Sequence, residues 1–124
     1  MAGDEQSVIV IELAKEFMEL IRQIEPAWRK AYFRFSSDGA RRGSNGSYAS
    51  DSEVTLIDPF KHNKFFKSMN EKSIQLFSLL GKEHAVLLLT VDSNFDYDIK
   101  FEYANLDRWK ISKVDGGTGI PEGI

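Results

Sequence analysis

The sequence contains no cysteine. That excludes a disulfide framework and any thiolate-based zinc site. Histidine is almost as scarce, with only His62 and His84. His62 lies among Lys61, Asn63 and Lys64 and reads as a solvent-facing helix residue, while His84 opens an apolar run and reads as its exposed end. Neither has the partner pattern that a nucleophile–base–orienter arrangement requires. A Gly-x-Ser-x-Gly elbow is missing as well, so the features of a small hydrolase are absent. No long hydrophobic run exists. The longest, Ala85–Leu89, falls far short of the roughly 20 apolar residues of a membrane span. The opening Met-Ala-Gly-Asp-Glu-Gln-Ser lacks the basic start and apolar stretch of a secretory signal, so a cytoplasmic protein is expected.

The phosphate- and metal-binding motifs fail in detail. Gly39, Gly43 and Gly46 are not followed by Gly-Lys-Ser/Thr, and neither is Gly116-Gly117-Thr118-Gly119. Asp92-Ser-Asn94-Phe-Asp96-Tyr-Asp98 imitates the start of a calcium loop. It then places Tyr97 where the turn needs glycine and Tyr103 where the bidentate glutamate belongs. No cofactor and no metal are expected.

What is present is an ordinary globular composition: 124 residues, 42% hydrophobic, 28% charged and a net charge of −3. A chain of this length buries roughly two-thirds of its unfolded surface, which suits one core and a single domain over 1–124. The charge is unevenly placed. Residues 1–25 carry −4, residues 26–50 carry +4, residues 51–70 balance, and residues 71–124 carry −3. The mild overall acidity weighs against nucleic-acid binding.

Periodicity supplies the elements. Val10, Leu13, Ala14, Phe17, Leu20, Ile21 and Ile24 recur at helical spacing, which predicts an amphipathic helix over 7–24, stopped by Pro26 and preceded by a loose 1–6. From Trp28 to Phe35 the period changes to two, with Ala31, Phe33 and Phe35 on one side, so a half-buried strand is expected. Residues 36–47, rich in glycine and serine, read as a loop, and a second strand is expected within 48–57. Asp58-Pro59 is a helix-start signal, and Phe65, Phe66, Met69, Leu76, Phe77 and Leu80 form one stripe. One helix over 59–80 fits, as does a short helix followed by a second one starting at the Ser68–Glu71 capping box, and Gly81 suits the C-cap.

The run 84–91 reads as a central strand covered on both faces. Then Phe95, Tyr97, Ile99, Phe101 and Tyr103 alternate with Asp96, Asp98, Lys100 and Glu102, a strand with rings inward (Tyr97 and Tyr103 in the core) and charges outward. Trp109 and Ile111 could begin one more short strand, and the Gly-rich tail 113–124 is expected to be loose. The order implies an α+β fold: an antiparallel sheet of 4–5 strands, helices packed on one face, the other face at least partly in water.

Two charged features could bind a partner. The segment 29–42 mixes Arg29, Lys30, Arg34, Arg41 and Arg42 with aromatics, as in a small RNA-binding or adaptor domain. Lys30 and Arg34 could equally pair across strands with carboxylates. The other is an acidic ridge of Asp92, Asp96, Asp98, Glu102 and Asp107. It is either a solvated strand face or a docking surface that steers a basic protein.

The segment Ser93-Asn-Phe95-Asp-Tyr97-Asp98-Ile-Lys-Phe101-Glu-Tyr103-Ala-Asn-Leu-Asp107 resembles the closing hairpin of the YezG-like bacterial immunity proteins. The likeness extends over residues 8–112 in plan: an amphipathic N-terminal helix, Trp28 and an aromatic strand, a helix rich in Leu and Phe (Leu76, Phe77, Leu79, Leu80), and a hairpin ending in Phe101 and Tyr103 among acids. The resemblance implies an antitoxin, not an enzyme. It would bind and neutralise the C-terminal domain of a cognate polymorphic toxin, often a nuclease, deployed by contact-dependent growth inhibition or another secretion route. It also weights the acidic ridge as the contact surface.

Overall fold

The computed structural model describes residues 2–124 and is α+β: two helices and a five-stranded antiparallel sheet. In chain order the elements are α1 (Ala2–Ile24), β1 (Lys30–Asp38), β2 (Arg42–Ala49), β3 (Val54–Leu56), α2 (Asn63–Leu80), β4 (His84–Asp92) and β5 (Tyr97–Glu102). The strand order is β3-β2-β1-β4-β5. Strand β4 therefore sits between β1 and β5, which accounts for its unbroken apolar run: Ala85 through Leu89 and Val91 are all buried.

Both helices lie on one face of the sheet. Leu13, Phe17 and Ile21 of α1 and Phe65, Phe66, Met69, Leu76 and Phe77 of α2 close over Ala31, Phe33, Phe35, Leu87, Leu89 and Val91. A chain of rings links the layers, with Phe17–Phe33 centroids 6.0 Å apart, Phe65–Phe66 5.1 Å and Phe35–Phe77 5.5 Å. The helices are antiparallel neighbours: Gln6 Nε2 donates to the Leu79 carbonyl, and Glu16 accepts from Ser68 Oγ and Lys72 Nζ.

Several expectations change here. Helix α1 begins at Ala2 rather than Ser7, so the expected loose 1–6 is helical over its described residues. Residues 36–47 are not a loop. They form the end of β1, a tight turn and most of β2, with Ser37 opposite Arg42. Asp38 Oδ1 accepts from the Ala40 and Arg41 backbone N–H groups, and Gly39 adopts φ +89° in the turn. Asp58-Pro59 makes a turn rather than the helix start. Asp58 Oδ1 accepts from the Phe60 N–H, and one unbroken α2 starts at Asn63. Ser68 reaches Glu16 instead of forming a capping box. Gly81 ends the helix at φ 70°, as expected of a left-handed cap.

The second face of the sheet is covered, not open to water, over Tyr32, Val86 and Leu88. Leu106, Trp109 and Ile111 pack there as a smaller core. They form no further strand, and Trp109 has φ 62°. The Gly-rich tail is docked rather than loose. Buried Ser47 Oγ donates to the Gly119 carbonyl at 2.6 Å, Asn45 Nδ2 to the Ile111 carbonyl at 2.9 Å, and the Glu122 N–H to the Lys110 carbonyl at 3.0 Å. The result is three layers: helices, sheet and an irregular C-terminal cover.

Candidate functional site

Strand β5 is an edge strand, in register with β4 from Val86–Glu102 to Val91–Tyr97. The expected alternation is present. The odd residues face the helices, where Ile99 and Phe101 pack against the main core and Phe101 meets Phe77 edge-on at 6.4 Å. The rings are less buried than expected. Tyr97 is 46% exposed, Tyr103 42% and Phe95 65%, so Tyr97 and Tyr103 are not core residues. An edge strand has a neighbour on one side only, which leaves its rings partly uncovered. Tyr103 finds a partial substitute in Phe101, stacked at 6.3 Å, and in Lys82, whose Nζ lies 4.9 Å from its ring centre.

The five acids of the ridge divide into two kinds. Asp92, half-buried at the end of β4, organises the β4–β5 turn. Its Oδ1 accepts from the Asn94 and Asp96 N–H groups, and its own N–H donates to the Asp96 carbonyl. That closure holds Phe95 at φ 66° and presents its ring beside Lys15, Met18 and Arg22 of α1. Glu102 organises the next turn. It accepts from the Ala104 and Asn105 N–H groups and from Arg108 Nη1 at 2.7 Å, leaving its side chain 16% exposed. The Arg108 guanidinium, followed by those two backbone bonds, holds its carboxyl at a pKa of about 2.

Asp96, Asp98 and Asp107 are exposed. Among the described residues Asp96 and Asp98 have no ion-pair partner, while Asp107, its side chain 81% exposed, has only Lys110 at 3.5 Å. The ridge is therefore a set of three available carboxylates, and it is interrupted: Lys100 stands between Asp98 and Glu102 on the same strand face.

The basic segment is not gathered into one patch. Arg29 pairs with Asp51 at 2.9 Å. Arg34 is turned under the C-terminal cover, donating to the Leu106 carbonyl at 2.6 Å and the Arg108 carbonyl at 2.8 Å. Burial lowers its pKa, with Asp107 opposing that shift. Arg41 and Arg42 lie at the far end of β1 from Lys30, roughly 25 Å away along an extended strand. The two histidines bracket α2, again roughly 25 Å apart, and His84 stands opposite Asp38 in the β1–β4 register.

Among the described residues no three His, Asp or Glu side chains are grouped to hold a metal, and no helix is long and apolar enough to cross a membrane. Asn45 and Ser47, which anchor the C-terminal cover, were missed by sequence reasoning, and Arg34, assigned there to a basic segment or a cross-strand ion pair, joins them as a third anchor. The two-sided apolar pattern of β4 required such a cover, and Trp109 with Ile111 is the apolar group available to supply it. No family model and no curated protein matches the chain.

Proposed function

We propose that the chain is a protein-binding module of the immunity type, as the YezG-like resemblance implies. It neutralises a toxin domain by docking the exposed end of the β4–β5 hairpin against a basic surface. The observation that carries this reading is the pairing of two unmatched carboxylates, Asp96 and Asp98, with two exposed rings, Phe95 and Tyr97, on a turn held rigid by Asp92. Aromatic rings supply contact area at low entropic cost, and carboxylates on a fixed backbone set on-rate and register against a cation-rich cleft. Asp107 adds a third available charge from the C-terminal cover. No bond-making group is asked of the inhibitor.

Co-expression with the C-terminal domain of the protein encoded beside it tests this reading. Growth should be restored when the domain is toxic alone, and continued toxicity overturns the proposal. The finer test reverses Asp96 and Asp107 together to lysine. With the purified toxin domain, the association rate should fall about tenfold or more at low salt and the salt dependence should flatten. An unchanged rate places the contact elsewhere.

A further inference from the structure

The outer edge of β5 is unpaired: no other strand follows it in the sheet, and among the described residues no turn or loop backbone hydrogen bond reaches Tyr97 to Phe101. Its side chains are arranged so that a second copy of the same edge fits. In an antiparallel pair, opposed residues lie on the same sheet face and interact directly. Centring such a pair on Ile99 sets Asp98 against the partner's Lys100, and Lys100 against the partner's Asp98, on the face bearing the C-terminal cover. On the helix face it sets Tyr97 against the partner's Phe101, Phe101 against the partner's Tyr97, and Ile99 against itself.

Asp98 and Lys100 are both exposed, and neither has an ion-pair partner within the chain among the described residues. Other registers fit less well. Centring on Lys100 opposes the two Lys100 side chains and sets Asp98 against Glu102. Centring on Phe101 requires Glu102 to reach across the edge, but Glu102 is already bound to Arg108 and to two backbone N–H groups. In the favoured register Asp96 meets the partner's Glu102, whose charge Arg108 already offsets.

We propose that the β5 edge is a homodimer interface, with the two copies joined through antiparallel β5 strands about a two-fold axis at Ile99 into one continuous ten-stranded sheet. The same acid–base alternation that would repel a misregistered strand selects this one. The contact is short, so the association is reversible and depends on concentration and salt. The inference does not rest on the toxin-binding reading; because Asp98 and Tyr97 serve both contacts, self-association and toxin docking are mutually exclusive at this edge.

Sedimentation and light scattering on the purified full chain test it. Wild type should pass from 14.1 kDa to twice that mass with rising concentration across roughly 1–100 μM. Asp98→Lys and Lys100→Asp each turn two opposite-charge contacts into like-charge ones, and each should weaken the dimer about tenfold or more. An equimolar mixture of these two variants should form a heterodimer, and the double exchange Asp98→Lys/Lys100→Asp should recover self-association. A wild type that stays monomeric, single variants that dimerise like wild type, or a double exchange that does not recover would each overturn the proposal. Circular dichroism confirms that each variant is folded. Because the chain has no native cysteine, Ile99→Cys gives an independent reading. Mild oxidation should cross-link two copies at this position and not at Asp96→Cys. Cross-linking at 96 with none at 99 also overturns the register.

Discussion

Glu102 shows how a side chain on an exposed hairpin becomes structural. Its carboxylate closes the turn after β5 by accepting two backbone N–H bonds and the Arg108 guanidinium. Arg108 in turn lies 4.7 Å over the Trp109 ring. Those bonds lower its pKa from the ordinary 4.5 to about 2, so the ionised form favours the folded chain. A depressed carboxylate contributes its full stabilisation above its unfolded pKa and loses it as pH falls through the folded one. The contribution of Glu102 is therefore whole above about pH 5 and fades toward pH 2. Asp38 acts in the same direction, because the Arg41 and Ala40 N–H groups hold its carboxyl below the usual range. Glu102→Gln should lower the melting temperature at pH 7 and flatten its decline between pH 5 and pH 2, as read by thermal melts across that range. A melting curve whose acid limb is as steep as that of wild type would show that Glu102 is not the titrating group.

At the scale of elements, the C-terminal cover depends on a small number of directional bonds. Arg34 of β1 holds it through the carbonyls of Leu106 and Arg108, and Asn45 and Ser47 of β2 hold it further along. Replacing Arg34 with methionine keeps much of the aliphatic stem but leaves both carbonyls without their donor. A destabilisation of about 1.5–3 kcal/mol is expected, the usual range for hydrogen bonds to a charged group. Chemical denaturation measures it. An effect below about 0.5 kcal/mol would mean that water replaces the guanidinium at no cost.

The elements themselves were unequally legible in the sequence. Alternation located β5 and the apolar run located β4, because periodicity is imposed directly by burial. Strand β2 was hidden because the properties that let it pack also mark loops. A β-carbon at Gly46 would lie 3.0 Å from both Ile57 Cδ1 and the Tyr32 carbonyl oxygen, and Ser47 is buried beneath the tail. Closely covered strands require small residues, and composition does not separate that need from flexibility. The acidic ridge was legible as a list of residues but not as a surface. Whether a carboxylate is free or closes a turn depends on which backbone N–H groups the fold brings to it, as with Asp92 and Glu102.

Across the whole molecule the two sheet faces are covered by layers of unequal strength. The helix side buries two helices against β1, β2 and β4 through a continuous set of aromatic and aliphatic side chains that includes Trp28. The opposite side buries Trp109 and Ile111 over Tyr32, Val86 and Leu88, and the segment holding them has no regular secondary structure of its own. Fewer apolar contacts and fewer cooperative backbone bonds mean a lower free energy of local opening. The cover should therefore release before the sheet unfolds. The chain carries one tryptophan in each layer, 5% exposed at Trp28 and 3% at Trp109, so each layer has its own reporter. In Trp28→Phe the remaining emission follows the cover, and in Trp109→Phe it follows the helix–sheet core. Each emission midpoint is compared with the far-ultraviolet circular dichroism midpoint of the same variant, which removes any difference in their global stabilities. The Trp109 signal should change at lower denaturant than its own dichroism, whereas the Trp28 signal should coincide with its own. Amide exchange in wild type should be correspondingly faster at the Gly119 and Glu122 N–H groups than in β1 and β4. Coincident transitions in both variants would instead make the cover part of the same cooperative unit, with Arg34, Asn45 and Ser47 coupling it to the sheet as tightly as the sheet is coupled to its helices.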